Sequence, residues 1–222
     1  MFDALLNALQ TPVTGARWLL WIDGAGTFLV LTASEVSIGR LTTSATPLAS
    51  SKAPSDEAQI ALMGNLSRQH ATLRRAGDDY ILDAHSATTI NGRAVDREVL
   101  LPTTCELAFN NSVRINVSQP SPLSASARVD VLSGHRSRLS LNGIVLLAET
   151  CLLGPGAENH IRCPQWSSSL VLVRRNEGLS VKSREPLFVD GQPASGLATI
   201  LPGATVVGPS QRFRVELLES VS

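Results

Sequence analysis

The feature that most restricts how this chain can fold is an internal repeat. The segment ATLRRAGDDYILD at residues 71–83 is matched by VLVRRNEGLSVKS at residues 171–183. Each segment reads as an apolar strand that ends in Arg-Arg, a tight polar turn with Gly, and a second strand. Three further pairs follow at nearly the same spacing: TTINGRAV (88–95) with LFVDGQPA (187–194), LPTTCEL (101–107) with LPGATVV (201–207), and SVRINV (112–117) with RFRVEL (212–217). Because Asn-Gly and Asp-Gly are strong hairpin turns, the pattern predicts two copies of one β-rich unit of about 100 residues.

The two copies differ in length near their starts. EVSIGR (35–40) resembles TCLLGP (150–155), but their glycines lie 115 residues apart, compared with 100 for Arg74 and Arg174. The first copy therefore holds extra residues, which we place in the segment 41–58. This segment is rich in Ser, Thr, Ala and Pro and has no apolar period, which predicts a surface loop.

Composition and these repeats predict an all-β chain. Val, Leu, Ile, Thr and Ser are plentiful while aromatic residues make up only 4% of the chain, so many short strands packed as two sandwiches in tandem are favoured. Before the first copy, the apolar residues Phe2, Leu5, Leu6 and Leu9 fall on one face of a helix. This pattern ends at Pro12 and predicts a short docking helix. The predicted divisions are an amphipathic segment 1–15, a first domain 16–120, a linker or extra strand 121–137, and a second domain 138–222.

Charge and cysteine content exclude several functional classes. Nineteen basic and 19 acidic residues leave no net charge, which disfavours nucleic-acid binding. No run approaches the roughly 18 to 20 apolar residues of a membrane-spanning helix. Three cysteines at uneven spacing, Cys105, Cys151 and Cys163, form neither a disulfide framework nor paired CxxC motifs, so we expect reduced, buried thiols in a cytoplasmic protein.

Catalytic and metal chemistry are not predicted. His160 and Cys163 form an HxxC pair that could ligate zinc with Cys151 or His135, but no second close pair completes a site. Neither copy offers an orienting acid for a Cys/His nucleophile, and no Gly-rich phosphate loop precedes a helix. The sequence therefore predicts a protein without enzymatic activity, metal or cofactor.

The order of motifs in the first copy resembles the forkhead-associated (FHA) domain. The residues that carry the resemblance are Gly39-Arg40, then Ser67-Arg68-Gln69-His70, then Asp83 at a strand end, then Asn91-Gly92. The resemblance covers residues 16–118, and it recurs in degenerate form over residues 138–218. It implies β-sandwiches that hold phosphothreonine peptides on loops at one end, without catalysis.

The resemblance also implies the roles of individual residues. Those expected to bind the phosphopeptide are Arg40, Ser67, Arg68 and Thr88. Those expected to support the site are Gly39, His70 and Ser86, with His70 bracing the binding loop. Guanidinium groups beside a hydroxyl donor suit a phosphate ester, which carries nearly two negative charges and three strong acceptor oxygens.

Two departures from the family pattern modify this expectation. The loop DAHSATTINGRAV is shorter than the corresponding family loop and has no counterpart of the asparagine that fixes the peptide backbone. In the second copy, Pro155 stands in place of Arg40, and the sequence SSSL at 167–170 is expected to replace SRQH, so only a serine is retained there. Arg74 and Arg75 recur in this altered copy and are therefore expected to serve the fold.

Two main functional hypotheses follow. The first is a phosphothreonine-peptide adaptor in Ser/Thr kinase signalling or regulated assembly, whose partner is a phosphorylated protein. The alternative is a phospho-independent protein-protein assembly module, with possible self-association, in which the sandwiches have lost phosphate binding. A weaker third hypothesis is that the insertion threonines, once phosphorylated, occupy the site themselves; they are Thr42, Thr43 and Thr46.

Overall fold

The computed structural model describes residues 15–42, 58–175, 178–194 and 196–220. The predicted helix and most of the predicted insertion loop, including Thr43 and Thr46, lie outside these residues. The described chain is all-β, and its sheets pack as two sandwiches, which confirms the predicted fold class. No helix in the described part is long and apolar enough to cross a membrane.

The described residues contain 22 strands, with the following bounds: β1 Ala16–Ile22, β2 Gly26–Leu31, β3 Glu35–Arg40, β4 Ile60–Leu62, β5 Ala71–Ala76, β6 Asp79–Ala84, β7 Thr88–Ile90, β8 Arg93–Val95, β9 Val99–Leu100, β10 Thr104–Phe109, β11 Val113–Ser118, β12 Ala127–Val131, β13 Gly143–Leu146, β14 Thr150–Gly154, β15 Ile161–Arg162, β16 Leu170–Arg175, β17 Gly178–Ser183, β18 Leu187–Val189, β19 Gln192–Ala194, β20 Leu197–Ile200, β21 Thr205–Val207 and β22 Arg212–Ser220.

The strands form one long sheet and two short ones. The long sheet has 12 strands in the order β19-β18-β21-β22-β1-β2-β13-β12-β11-β10-β7-β8. One five-stranded sheet, β4-β3-β5-β6-β9, packs against the half of the long sheet that ends at β8, and this is the first sandwich. The other, β15-β14-β16-β17-β20, packs against the half that ends at β19, and this is the second sandwich.

Alternating side chains and short turns explain the individual strands. In β10 the buried residues alternate with partly exposed ones, as expected for a strand with one face in a core. Asn91 and Asp190 have φ values of 49° and 50° in the turns β7–β8 and β18–β19, each followed by a glycine at 78°. Two successive residues with positive φ are what a type I′ hairpin turn requires, and Asn-Gly and Asp-Gly favour that turn, so the predicted hairpins form as the sequence indicated.

Each sandwich is completed by a hairpin that lies next to the other copy in sequence. The hairpin β1–β2, at the start of the chain's first copy, completes the second sandwich, and the hairpin β12–β13, ahead of the second copy, completes the first. We call this arrangement the exchange of hairpins. Strand β1 pairs antiparallel with β22 of the second sandwich, whereas β12 pairs with β11 of the first. Leu20 of β1 is buried in the second core and Val129 of β12 in the first. The pairing thus crosses the predicted boundary between 16–120 and 138–222, and the segment 121–137 contributes a strand.

The two halves of the long sheet meet at a parallel pair of strands, β2 and β13. In β2, Leu29 and Leu31 lie in the first core whereas Phe28 and Val30 lie in the second. Successive side chains of a strand point to opposite faces of its sheet, so the two cores lie on opposite faces of this seam. A strand buried on both faces reads as a continuous apolar run, as FLVL does here.

Two arginines hold the chain where it leaves the seam. Arg75 donates from Nη1 to the carbonyl of Leu147 at 3.2 Å, directly after β13. Arg174 donates from Nη1 to the carbonyl of Thr32 at 2.6 Å, directly after β2. Arg75 and Arg174 thus perform the same structural role in the two copies, whereas Arg74 forms a surface ion pair with Glu98 at 2.7 Å.

Candidate functional site

The end of β3 crosses closely over the loop between β4 and β5. The backbone N–H of Arg40 donates to the carbonyl of Ser67 at 2.9 Å. A Cβ atom placed on Gly39 would overlap the carbonyl oxygen of Arg68, so glycine is required at this crossing. The crossing brings the backbone of Arg40 beside that of Ser67 and Arg68, although these residues are far apart in sequence.

His70 joins two loops from a fully buried position. The backbone N–H of Ser67 donates to Nδ1 of His70 at 3.3 Å, so the ring proton must lie on Nε2, which donates to the carbonyl of Ala87 at 3.1 Å. The ring contacts Phe109 edge-on, with centroids 5.1 Å apart. Burial lowers the pKa of His70 and outweighs the opposing effect of the hydrogen bond to Ala87. A neutral imidazole therefore spans the β4–β5 and β6–β7 loops, as the predicted bracing role requires.

The hydroxyl groups of Ser67 and Ser86 meet between these loops. Their Oγ atoms lie 2.7 Å apart, and both side chains are half-buried. Thr88 is buried, and its hydroxyl donates to the carbonyl of Ser86 at 2.8 Å. In this arrangement the Thr88 hydroxyl supports the β6–β7 loop, and its expected contact with phosphate stays a prediction.

Asn110 is a supporting residue that the sequence reasoning missed. It lies in the β10–β11 turn with a φ of 49°, and its N–H donates to the carbonyl of Ala87 at 3.0 Å. Its side-chain amide donates to the carbonyl of Asn65 at 2.9 Å. An Asn-Asn dipeptide between two strands is typical of a turn, but nothing in it indicates that this turn ties the two site loops together.

Arg40 and Arg68 project from this braced framework into solvent. Within the described part of the chain, neither guanidinium has a hydrogen-bond or ion-pair partner. Two unpaired cations beside a pair of hydroxyl groups form an arrangement that can bind a dianion by charge-assisted hydrogen bonds.

The corresponding end of the second sandwich lacks this arrangement. Leu73 pairs with Val36 and Leu172 pairs with Cys151, which are equivalent positions on β3 and β14. Counting back along the chain, the position of His70 is taken by Ser169 and that of Ser67 by Trp166. The expected match of Ser67 to Ser167 is therefore wrong by one residue, because the shared Arg-Arg dipeptides are themselves out of register.

His160 of the second copy has a structural role. It accepts from the backbone N–H of Leu152 at Nδ1, 3.0 Å away, and its Nε2 donates to the carbonyl of Ser126 at 3.2 Å. Burial lowers the pKa of His160 and raises that of the neighbouring Cys163 thiol to about 12. Among the described residues there is no group of three or more His, Cys, Asp or Glu side chains placed to hold a metal ion.

Comparison with known proteins gives matches only among solved structures; no family model and no curated protein matches the chain. The chain is similar to the Rv0020c FHA structure at 21% identity, over 46% of this chain and 91% of that one, with a TM-score of 0.27. It is also similar to the N-terminal FHA domain from EssC, a component of the bacterial type VII secretion apparatus, at 12% identity. That match covers 93% of this chain and 95% of the other, with a TM-score of 0.24.

Proposed function

We propose that this protein is an adaptor that binds phosphothreonine-containing peptides at the end of its first sandwich. The observation that carries the proposal is the buried His70, which links Ser67 to Ala87 and so fixes a hydroxyl pair beside two unpaired arginines. The loops of the site are braced before the ligand arrives, so the ordering that opposes binding falls mainly on the two arginine side chains.

In this proposal Arg40 and Arg68 supply the cations, and the Ser67 hydroxyl donates to a phosphate oxygen. Ser86 shares a hydrogen bond with Ser67 in the free protein and holds its hydroxyl in place, while Thr88, Gly39 and His70 support the loops. Charge-assisted hydrogen bonds contribute roughly 1.5 to 3 kcal/mol each. Loss of one arginine should therefore weaken phosphopeptide binding about tenfold or more.

The partner in this proposal is a protein phosphorylated on threonine by a Ser/Thr kinase. Binding at loops on a rigid sandwich needs no catalytic group, so the protein acts by bringing partners together. All three cysteines are free and buried, which suits a reducing compartment such as the cytoplasm.

A degenerate phosphothreonine peptide library, titrated by fluorescence polarisation, tests this function. Wild-type protein should prefer phosphorylated peptides over the same peptides with plain threonine, and Arg40→Ala should weaken that binding about tenfold or more. Arg162→Ala is the matched control, because Arg162 is an exposed arginine on the second sandwich. Equal affinity for phosphorylated and plain peptides, or equal effects of the two substitutions, would contradict the proposal.

A second candidate function, phospho-independent self-assembly, is favoured by an apolar patch on the second sandwich. Phe188 and Val207 pair across β18 and β21 and are 44% and 38% exposed. At the equivalent pair in the first sandwich stand the smaller side chains of Thr89 and Ala108. The copy that lacks the anion site thus carries larger exposed apolar groups at the same place in the fold.

A second copy of this chain is the partner that best suits the patch. Arg212, which pairs with Val207 across β21 and β22, lies 3.6 Å from Asp23, so the rim of the patch carries both signs of charge. A rim of this kind becomes self-complementary when two copies meet about a twofold axis. Sedimentation should show a dimer that Phe188→Ser converts to a monomer; a wild-type chain that stays monomeric at high concentration would exclude this candidate.

A further inference from the structure

An exposed apolar patch lies at the base of the second sandwich, which is the end where β1 begins and β22 ends. It comprises Leu201 and Pro202 of the β20–β21 connection and Leu217 of β22, and we call these three residues the base patch. The side chains of Leu201 and Leu217 are 65% and 38% exposed. The N–H of Gly203 donates to the carbonyl of Val215 at 2.7 Å, so the chain at Pro202 passes beside Leu217.

The first sandwich is polar at the same place. The strand pairs β10–β11 and β21–β22 are equivalent, and their registers align Thr103 with Pro202 and Gln119 with Leu217. The N–H of Gln119 donates to the carbonyl of Thr103 at 2.8 Å, and its side-chain amide donates to the carbonyl of Asp78 at 2.6 Å. Two polar residues of the first copy are thus replaced by exposed apolar residues in the second.

The base of the first sandwich is closed by the connection β11–β12, which begins at Gln119. Two hydrogen bonds hold this connection in place: Oγ of Ser124 donates to the carbonyl of Thr150 at 2.6 Å, and the hydroxyl of Tyr80 donates to the carbonyl of Ala125 at 3.0 Å. The equivalent strands of the second sandwich, β22 and β1, are the last and the first strands that the structure describes. Within the described residues, no connection therefore runs across the base patch.

The segment 1–12 is attached to the chain beside the base patch. Ala16 pairs with Ser220 and Trp18 pairs with Leu217, so Leu217 lies only two residues of β1, or about 7 Å, from the start of that strand. A helix formed by this segment would be about 18 Å long. Residues 13–15 can span up to about 10 Å and so allow the chain to turn back. The base patch is therefore within reach of the segment.

The sequence of the segment suits an apolar surface. Its apolar side chains, Phe2, Leu5, Leu6 and Leu9, fall on one face of the predicted helix, and its one charged side chain is Asp3. A helix of about 12 residues is only marginally stable alone in water, so it needs a surface on which to bury that face. The short link to β1 gives the segment an effective concentration on the order of millimolar at the base patch, which favours its own chain over a second copy.

We propose that the segment 1–12 packs its apolar face on the base patch of its own chain and closes the second sandwich there, as the connection β11–β12 closes the first. An outside helix of the same pattern reaches the patch only by displacing this segment. The proposal is independent of phosphopeptide binding, because Arg40, Ser67 and Arg68 lie on the other sandwich and at its opposite end.

Hydrogen exchange in the full chain, followed by mass spectrometry, tests the docking. In the wild type, the amides of residues 2–10 should exchange at least about tenfold more slowly than in the unfolded chain, and equally at low and high protein concentration. Leu217→Ser and Leu201→Ser should each remove most of that protection. Leu123→Ser is the matched control and should retain it, because Leu123 is a 90% exposed leucine at the base of the first sandwich. Tryptophan fluorescence verifies that each variant is folded, and Leu201, which lies in a connection, can be replaced without opening the core.

Four results would each overturn the proposal. Unprotected amides in the wild type would show that the segment does not dock, and protection that survives both Leu201→Ser and Leu217→Ser would show that it docks elsewhere. Protection that is lost in Leu123→Ser would place the segment on the first sandwich. Protection that increases with protein concentration would place it on a second copy of the chain.

Discussion

Substitution of Leu20 by alanine should weaken the second sandwich and spare the first, although Leu20 lies at the start of the chain. Leu20 is fully buried in the second core because β1 pairs with β22. Removing a buried leucine side chain costs about 2 to 5 kcal/mol, from lost burial and from the cavity that remains. Typical domains are stable by only 5 to 15 kcal/mol, so the effect should be large.

The chain contains its own reporters for this experiment. All three tryptophans lie on the second sandwich: Trp18 and Trp21 on β1, and Trp166 in its core. Tryptophan fluorescence in a urea titration therefore follows the second sandwich, while amide hydrogen exchange follows both. Leu20→Ala should lower the fluorescence midpoint and reduce exchange protection in β17 and β21 before β5 and β10.

Val129→Ala is the matched control, because Val129 is fully buried in the first core. It should reduce protection first in β5 and β10, the reverse of the pattern expected for Leu20→Ala. If Leu20→Ala instead loosened β3 and β5 while leaving β17 protected, the hairpin β1–β2 would belong to its neighbour in sequence and the exchange of hairpins would be refuted.

Three further outcomes are expected. Gly39→Ala should weaken phosphopeptide binding about tenfold by displacing the carbonyl that it crosses, as isothermal titration would show, whereas Gly134→Ala, where an added methyl group meets nothing within 4 Å, should have little effect. Burial lowers the pKa of His70 and His160, so the unfolded state takes up protons first as pH falls below about 6.5. Urea titrations should therefore show the free energy of unfolding falling by up to about 1.4 kcal/mol per pH unit for each histidine. The same dependence of stability on pH in the variant with both histidines replaced by glutamine would contradict this. Burial also raises the pKa of all three thiols, so a thiol reagent at pH 8 should label the protein only after urea unfolds it, and rapid labelling of the native state would be inconsistent with their positions.

Much of the fold could be predicted because its strands and turns are determined by residues close together in sequence. The Asn-Gly and Asp-Gly turns and the alternating strands around them depend on residues close in sequence. The exchange of hairpins does not: Ala16 and Trp18 alternate in β1 just as Ala127 and Val129 do in β12, so either strand would present an apolar face to either core. Which partner is chosen depends on how the chain leaves the seam, and no local pattern records that.

The site shows the same division. The resemblance carried by Gly39-Arg40 and by Ser67 to His70 indicated which residues meet at the end of β3, and the structure shows why a glycine stands at that crossing. The burial of Thr88 and the role of Asn110 depend on backbone carbonyls that are distant in sequence, so no motif revealed them. Matching identical residues also gave the wrong alignment of the two copies: the shared Arg-Arg dipeptides suggested a register that the strand pairing corrects by one residue.

The exchange of hairpins has a consequence for synthesis on the ribosome. The hairpin β1–β2 is made first among the described strands, but its partner β22 is made last. At 5 to 20 residues per second, the apolar face of that hairpin waits roughly ten to forty seconds for its partner. The first sandwich must likewise wait for β12 and β13. Nascent chains should therefore depend on chaperones until β22 has been made, and termination before β12 should leave two incomplete sandwiches with exposed cores.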